Sequence, residues 1–212
     1  MSQTMISPVN TATKWVYSFG AGHNDGGAEM WHNLAAPDRN PRTRDGALHG
    51  RVVEIEGLRV AGLGGTFRPR VWSPPAPARL HRRAHLPDDV ASLGAAYGHT
   101  QRVALTHSLA TAAIWPEDYD ALARQQADIL VTHEAPGSHG AGNAALDALA
   151  RTMGARLVVH GHHHVTYRAS AGDGLRAMGI APAWGVSIDG DVLWSGEKPR
   201  PRHRIPPGWL AP

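Results

Sequence analysis

The sequence contains no cysteine, which excludes disulfides, thiol catalysis and thiolate-bound zinc together. Any metal must then be held by His, Asp, Glu or Asn. Lysine is nearly absent: Lys14 and Lys198 are the only two, so arginine carries the basic charge. Aromatics make up 6% and are not interleaved with the basic residues, which argues against a nucleic-acid stacking surface. No apolar run approaches the roughly 20 residues of a membrane span, and the N-terminus has no signal-peptide pattern. The expectation is a cytoplasmic protein with no membrane partner. The net charge of +3 could favour a phosphorylated substrate, but the arginines are spread along the chain and a GC-rich coding bias explains them equally well.

What is present is one domain's worth of chain, 212 residues with 42% hydrophobic, and an excess of histidine. Of 14 histidines, four fall within Val159-His160-Gly161-His162-His163-His164. Residues 1–14 read as a frayed N-terminus, 15–197 as the domain, and 198–212 as a Pro/Arg-rich tail. Trp15 to Phe19 reads as a buried strand running into Gly22-His23-Asn24-Asp25. Val52–Ile55 and Leu58–Ala61 read as a hairpin. Gly62, Gly64 and Gly65 lack the dinucleotide-binding spacing and suit a tight turn. Residues 69–88 read as a surface excursion, Val103–Thr106 as a strand with His107 just past it, and Pro116-Glu117-Asp118 as a helix start.

The clearest unit follows. Ile129–Thr132 is a strand ending in His133-Glu134. Asn143 caps a helix whose apolar positions Leu146, Leu149, Ala150 and Met153 follow helical spacing, and Gly154 ends it. Leu157–Val159 is the next strand, ending in the histidine run. A right-handed crossover would make the two strands parallel and bring both histidine motifs to one carboxyl edge. His162 and His164, at i and i+2 after a glycine, can converge with His133. Neutral imidazole suits Zn, Mn, Fe or Ni. Trp184–Ile188 and Asp191–Trp194 form a last hairpin around Asp189-Gly190. His139 and His49 read as solvated loop side chains, and His81, His85, His99 and His203 as surface residues. Ser138-His139 and His107-Ser108 lack the elbow motif of a serine hydrolase.

Gly161-His162-His163-His164 resembles the Gly-His-x-His motif of calcineurin-like metallophosphoesterases, and Thr132-His133-Glu134-Ala135-Pro136 resembles the strand-end motif that precedes it. Leu48-His49-Gly50-Arg51, Val60-Ala61-Gly62-Leu63-Gly64-Gly65 and Trp115-Pro116-Glu117-Asp118-Tyr119 resemble segments of a bacterial branch, so the likeness covers roughly residues 15–195. It implies an α/β fold, a β-sandwich flanked by helices, and hydrolysis of a phosphate mono- or diester by metal-activated water. The substrate would be a phosphorylated small molecule or nucleotide, with nucleic acid the weaker alternative. By the same resemblance His133 and His162 would bind one divalent metal (Mn, Fe, Ni or Zn) and His164 a second.

Two departures bear on activity. The family's Asp-x-His and Gly-Asp-x-x-Asp motifs are absent, so the chain is expected to be N-terminally truncated relative to the family, to lack the first strands, and to form at most one complete metal site. The family's Gly-Asn-His-Asp stands here as Gly22-His23-Asn24-Asp25. His23 would become a ligand, while Asn24 and Asp25 would hold the catalytic positions, and a carboxamide cannot serve as a general acid. The alternative expectation is a catalytically inactive relative acting as a binding or scaffold protein.

Overall fold

Among the described residues, the fold is built on a seven-stranded mixed sheet with four α-helices. The computed structural model describes residues 48–93, 97–196 and 204–211. The strands are β1 (Arg51–Ile55), β2 (Leu58–Leu63), β3 (Ile129–Thr132), β4 (Leu157–His160), β5 (Tyr167–Ala171), β6 (Arg176–Gly179) and β9 (Trp209–Leu210), in the order β1-β2-β3-β4-β6-β5-β9. The central run β2-β3-β4-β6 is parallel, whereas β1, β5 and β9 pair antiparallel. A separate two-stranded ribbon joins β7 (Gly185–Val186) and β8 (Val192–Trp194). The helices are α1 (Leu86–Ala91), α2 (His99–Ala112), α3 (Pro116–Ala123) and α4 (Ala144–Met153).

The β3–α4–β4 unit forms for the reasons read from its sequence. The Asn143 side chain accepts a hydrogen bond from the Ala145 amide at 2.9 Å, capping α4. Gly154 ends the helix at φ 76°, a left-handed conformation that glycine takes without a Cβ penalty. Leu146, Leu149, Ala150 and Met153 are fully buried and meet Ala61, Leu63, Leu130 and Val158 on one face of the sheet. The opposite face carries the alternate residues Val60, Ile129, Val131, Leu157, Val159 and Met178, with Val186 of the ribbon packed partly against them. β2 passes so close to the segment before β1 that a Cβ on Gly62 would lie 2.3 Å from the Leu48 Cβ. A close backbone approach is therefore what this glycine provides.

Several expectations need correction. Val103–Thr106 is not a strand but the middle of α2. The Gly98 amide donates to the Gln101 side chain at 3.0 Å, opening a helix in a segment rich in alanine and leucine. His107 therefore lies on α2 rather than past a strand. Residues 69–88 are more than an excursion: Val71, Leu80 and Leu86 join Leu109, Ala113 and Trp115 in a third buried cluster. The β5–β6 hairpin was not anticipated. The chain after Lys198 also returns to the sheet, where Trp209 and Leu210 pair with β5. Among the described residues, no helix is long and apolar enough to cross a membrane.

Candidate metal site at the carboxyl edge of the sheet

The register of the parallel strands decides what meets at their ends. Leu63 pairs with Thr132, and Thr132 with His160. The residues after each, Gly64, His133 and Gly161, therefore emerge at one edge. Thr132 Oγ1 donates to the Glu134 carbonyl at 2.7 Å, turning the chain as it leaves β3. After β4 the turn is tight: the His163 amide donates to the Gly161 carbonyl at 2.8 Å. His162 and His164 both take left-handed backbone conformations, with φ of 64° and 57°. Each such non-glycine residue costs on the order of 1 kcal/mol, a strain that gathers at functional sites.

The result brings His133 and His162 together. His133 Nε2 faces His162 Nδ1 at 3.0 Å, with ring centroids 4.8 Å apart. His133 is buried, at 6% exposure. Burial, and then the neighbouring His162, push its pKa down to about 4 despite the opposing charge of Glu134, so the ring is neutral at physiological pH. His164 follows in the same turn and adds to the electrostatic pressure on His133. His23, Asn24 and Asp25 lie outside the described residues.

Further groups complete the cluster. Donor atoms of Glu134, His162 and His163 lie within 4.8 Å of one another. His163 Nε2 is buried without a hydrogen-bond partner and stands 3.8 Å from Glu134 Oε1, too far for a hydrogen bond. Burial opposes the charge on Glu134, but His163, His162 and the Ala135 amide outweigh it and hold the carboxyl below its ordinary value. His139 is not a solvated loop side chain. It is half-buried and stacks on His163 with centroids 3.9 Å apart and planes 9° apart. Beneath the turn, His160 is fully buried and held neutral, its pKa pushed by burial to about 3.

These residues fit a divalent cation. Two nitrogens bound to one tetrahedral ion at ~2.1 Å each would lie ~3.4 Å apart, and His133 Nε2 and His162 Nδ1, hydrogen-bonded at 3.0 Å, are within a few tenths of an ångström of that spacing. The buried, unpartnered nitrogen of His163 beside a carboxylate is a second mark of a ligand-accepting site. Sequence reasoning missed Glu134 and His163 as donors, because in the motif it followed they are filler positions.

Next to this cluster, at the end of β2, is a second polar group. His49 Nδ1 accepts from the Gly64 amide at 3.0 Å, so its Nε2–H points to Asp118 Oδ2 at 3.2 Å. Arg83 binds both Asp118 oxygens at 2.9 and 2.5 Å, Glu117 at 3.0 Å and the Ala110 carbonyl at 3.0 Å. Burial disfavours the charge on Asp118, but hydrogen bonds from His49 and Arg83 prevail and hold the carboxyl at about 2. His49, read as a solvated loop residue, is thus a fixed member of a network.

No family model matches the chain. An uncharacterized protein of Haemophilus influenzae is 42% identical over 127 residues, covering 57% of this chain and 52% of the relative. The chain thus spans about half the length of the curated relative it matches.

Proposed function

We propose that the chain is a calcineurin-like, metal-dependent phosphoesterase, hydrolysing a phosphate mono- or diester of a small molecule or nucleotide. The observation that carries this reading is the pair of imidazole nitrogens, His133 Nε2 and His162 Nδ1, hydrogen-bonded to each other at 3.0 Å at the carboxyl edge of a parallel sheet. His133 and His162 would hold one divalent ion. His164, and Glu134 with His163, are the further donors within reach of that edge. A bound divalent ion supplies Lewis acidity and lowers the pKa of its water. The chain's own residues supply the rest: His133 stays neutral and ready to ligate, Glu134 contributes negative charge, and the burial of both limits competing water. The second apolar face of the sheet, with the β7–β8 ribbon against it, suits the two-layer sandwich of that family.

A second reading is a metal-binding protein without turnover. It is favoured by the donor set, in which Glu134 is the carboxylate among several imidazoles. Hydrolysis of a chromogenic phosphodiester with Mn²⁺, beside a His162→Ala control, separates the two. Turnover that vanishes in the control supports the enzyme. Metal uptake without turnover supports the binding protein.

A further inference from the structure

The turn that presents His162 and His164 is strained at both residues, so its surroundings must over-determine it. His160, the last residue of β4, lies directly beneath. Its Nδ1 is 3.0 Å from the Gly161 carbonyl. A carbonyl can only accept, so Nδ1 carries the proton and donates. A ring this fully buried is neutral, which leaves Nε2 as an acceptor. Tyr167 at the start of β5 must then donate its O–H to Nε2, at 2.7 Å. The Tyr167 oxygen accepts in turn from Ser138, also at 2.7 Å.

Every link therefore has one direction: Ser138 to Tyr167, Tyr167 to His160, His160 to the Gly161 carbonyl. That carbonyl also accepts from the His163 amide at 2.8 Å, so two donors fix the peptide at which the turn begins. Ser138 belongs to the loop that follows His133, and His139 beside it stacks on His163. The chain of hydrogen bonds thus ties the loop after β3 to the turn after β4.

We propose that Ser138, Tyr167 and His160 form a directional positioning network that holds the Gly161–His164 turn in its metal-presenting conformation, with Tyr167 as the central positioning residue. This rests on the reading of His133 and His162 as metal-binding. Outer groups of this kind typically change metal affinity 10–100-fold when removed.

Tyr167→Phe removes one hydroxyl and keeps the ring, and Ser138→Ala breaks the chain one link further out, serving as the test should the first variant not fold. Two measurements are made on each: calorimetric titration with Mn²⁺, and long-range ¹H–¹⁵N correlation of the imidazoles in the metal-free protein at neutral pH. The expected result is an Nδ1–H tautomer at His160 in the wild type, a shifted His160 Nε2 resonance in Tyr167→Phe as that nitrogen loses its donor, shifted His162 and His164 resonances, and Mn²⁺ binding weaker by about 10–100-fold. Wild-type binding with unchanged affinity in both variants would overturn the network and leave the metal reading standing. If the wild type takes up no Mn²⁺, the metal reading fails and the imidazole spectra decide. An Nε2–H tautomer at His160, or unmoved His162 and His164 resonances in the variants, then overturns the network, and the expected spectral changes support it.

Discussion

The end of β2 and the ends of β3 and β4 lie side by side at one edge of the sheet, yet the first gathers charged groups and the second gathers imidazole rings. Around Arg83, the guanidinium meets two carboxylates and a carbonyl, and His49 is fixed at both nitrogens. Around His162, two ring nitrogens face each other and a third, on His163, is buried without a partner. A satisfied network contributes to holding a structure together, whereas a buried ring nitrogen without a partner, as on His163, is open to a ligand. The difference sets apart the cluster that supports the edge from the one proposed to hold a metal there.

The largest effect expected from breaking this comparison is on folding, through Arg83→Ala. Removing the guanidinium strands Asp118 and Glu117 and uncovers the face of Trp115, over which the charge sits at 5.5 Å. A loss of about 3 kcal/mol in urea unfolding is expected, with Mn²⁺ uptake changed by no more than a few-fold. An Arg83→Ala chain of unchanged stability would remove the structural half of the contrast.

Acid should separate the clusters next. His133 is held at about 4 against an ordinary 6.5, so between these values the unfolded chain binds a proton that the folded chain refuses. Stability is therefore lost as pH falls from 6.5 towards 4, by up to roughly 3 kcal/mol from this group. Asp118 is lowered instead, from 3.8 to about 2. Its contribution is present above 3.8 and is lost only as pH falls below that. Metal-free unfolding curves from pH 7.5 to 4.5 should show the decline, and His133→Asn should reduce its slope by about half, the remainder coming from His160. A profile that is flat in the unsubstituted chain would contradict the assigned neutrality.

A smaller effect tests whether the two clusters can be told apart from general damage. Asn143→Ala removes the cap of α4 and should cost about 1 kcal/mol while leaving metal affinity within about twofold. The smallest stability change is expected for His162→Ala in the metal-free chain, under about 1 kcal/mol, since water reaches His133 from the opened edge. A large destabilisation there would mark His162 as a structural residue.

The β3–α4–β4 unit was legible because local signals agreed: helical spacing of buried residues, a side-chain cap at Asn143 and a left-handed glycine at 154. The convergence of His133 and His162 followed from strand order alone. α2 was not legible, because Val103-Ala104-Leu105-Thr106 reads as a strand when the Gly98–Gln101 start is overlooked. The β5–β6 hairpin hid behind its arginines and serine, although Gly172-Asp173-Gly174 carried a turn signal. The roles of Glu134, His163, His139 and Tyr167 are set by packing between separate loops, which no local pattern encodes.

The most direct test of the central claim is calorimetric titration of Mn²⁺ into the unsubstituted chain, His162→Ala and Arg83→Ala. The account predicts saturable binding in the first, a loss of about 100-fold in the second and near-full affinity in the third. Binding unaffected by His162→Ala, or no binding by the unsubstituted chain, would contradict it.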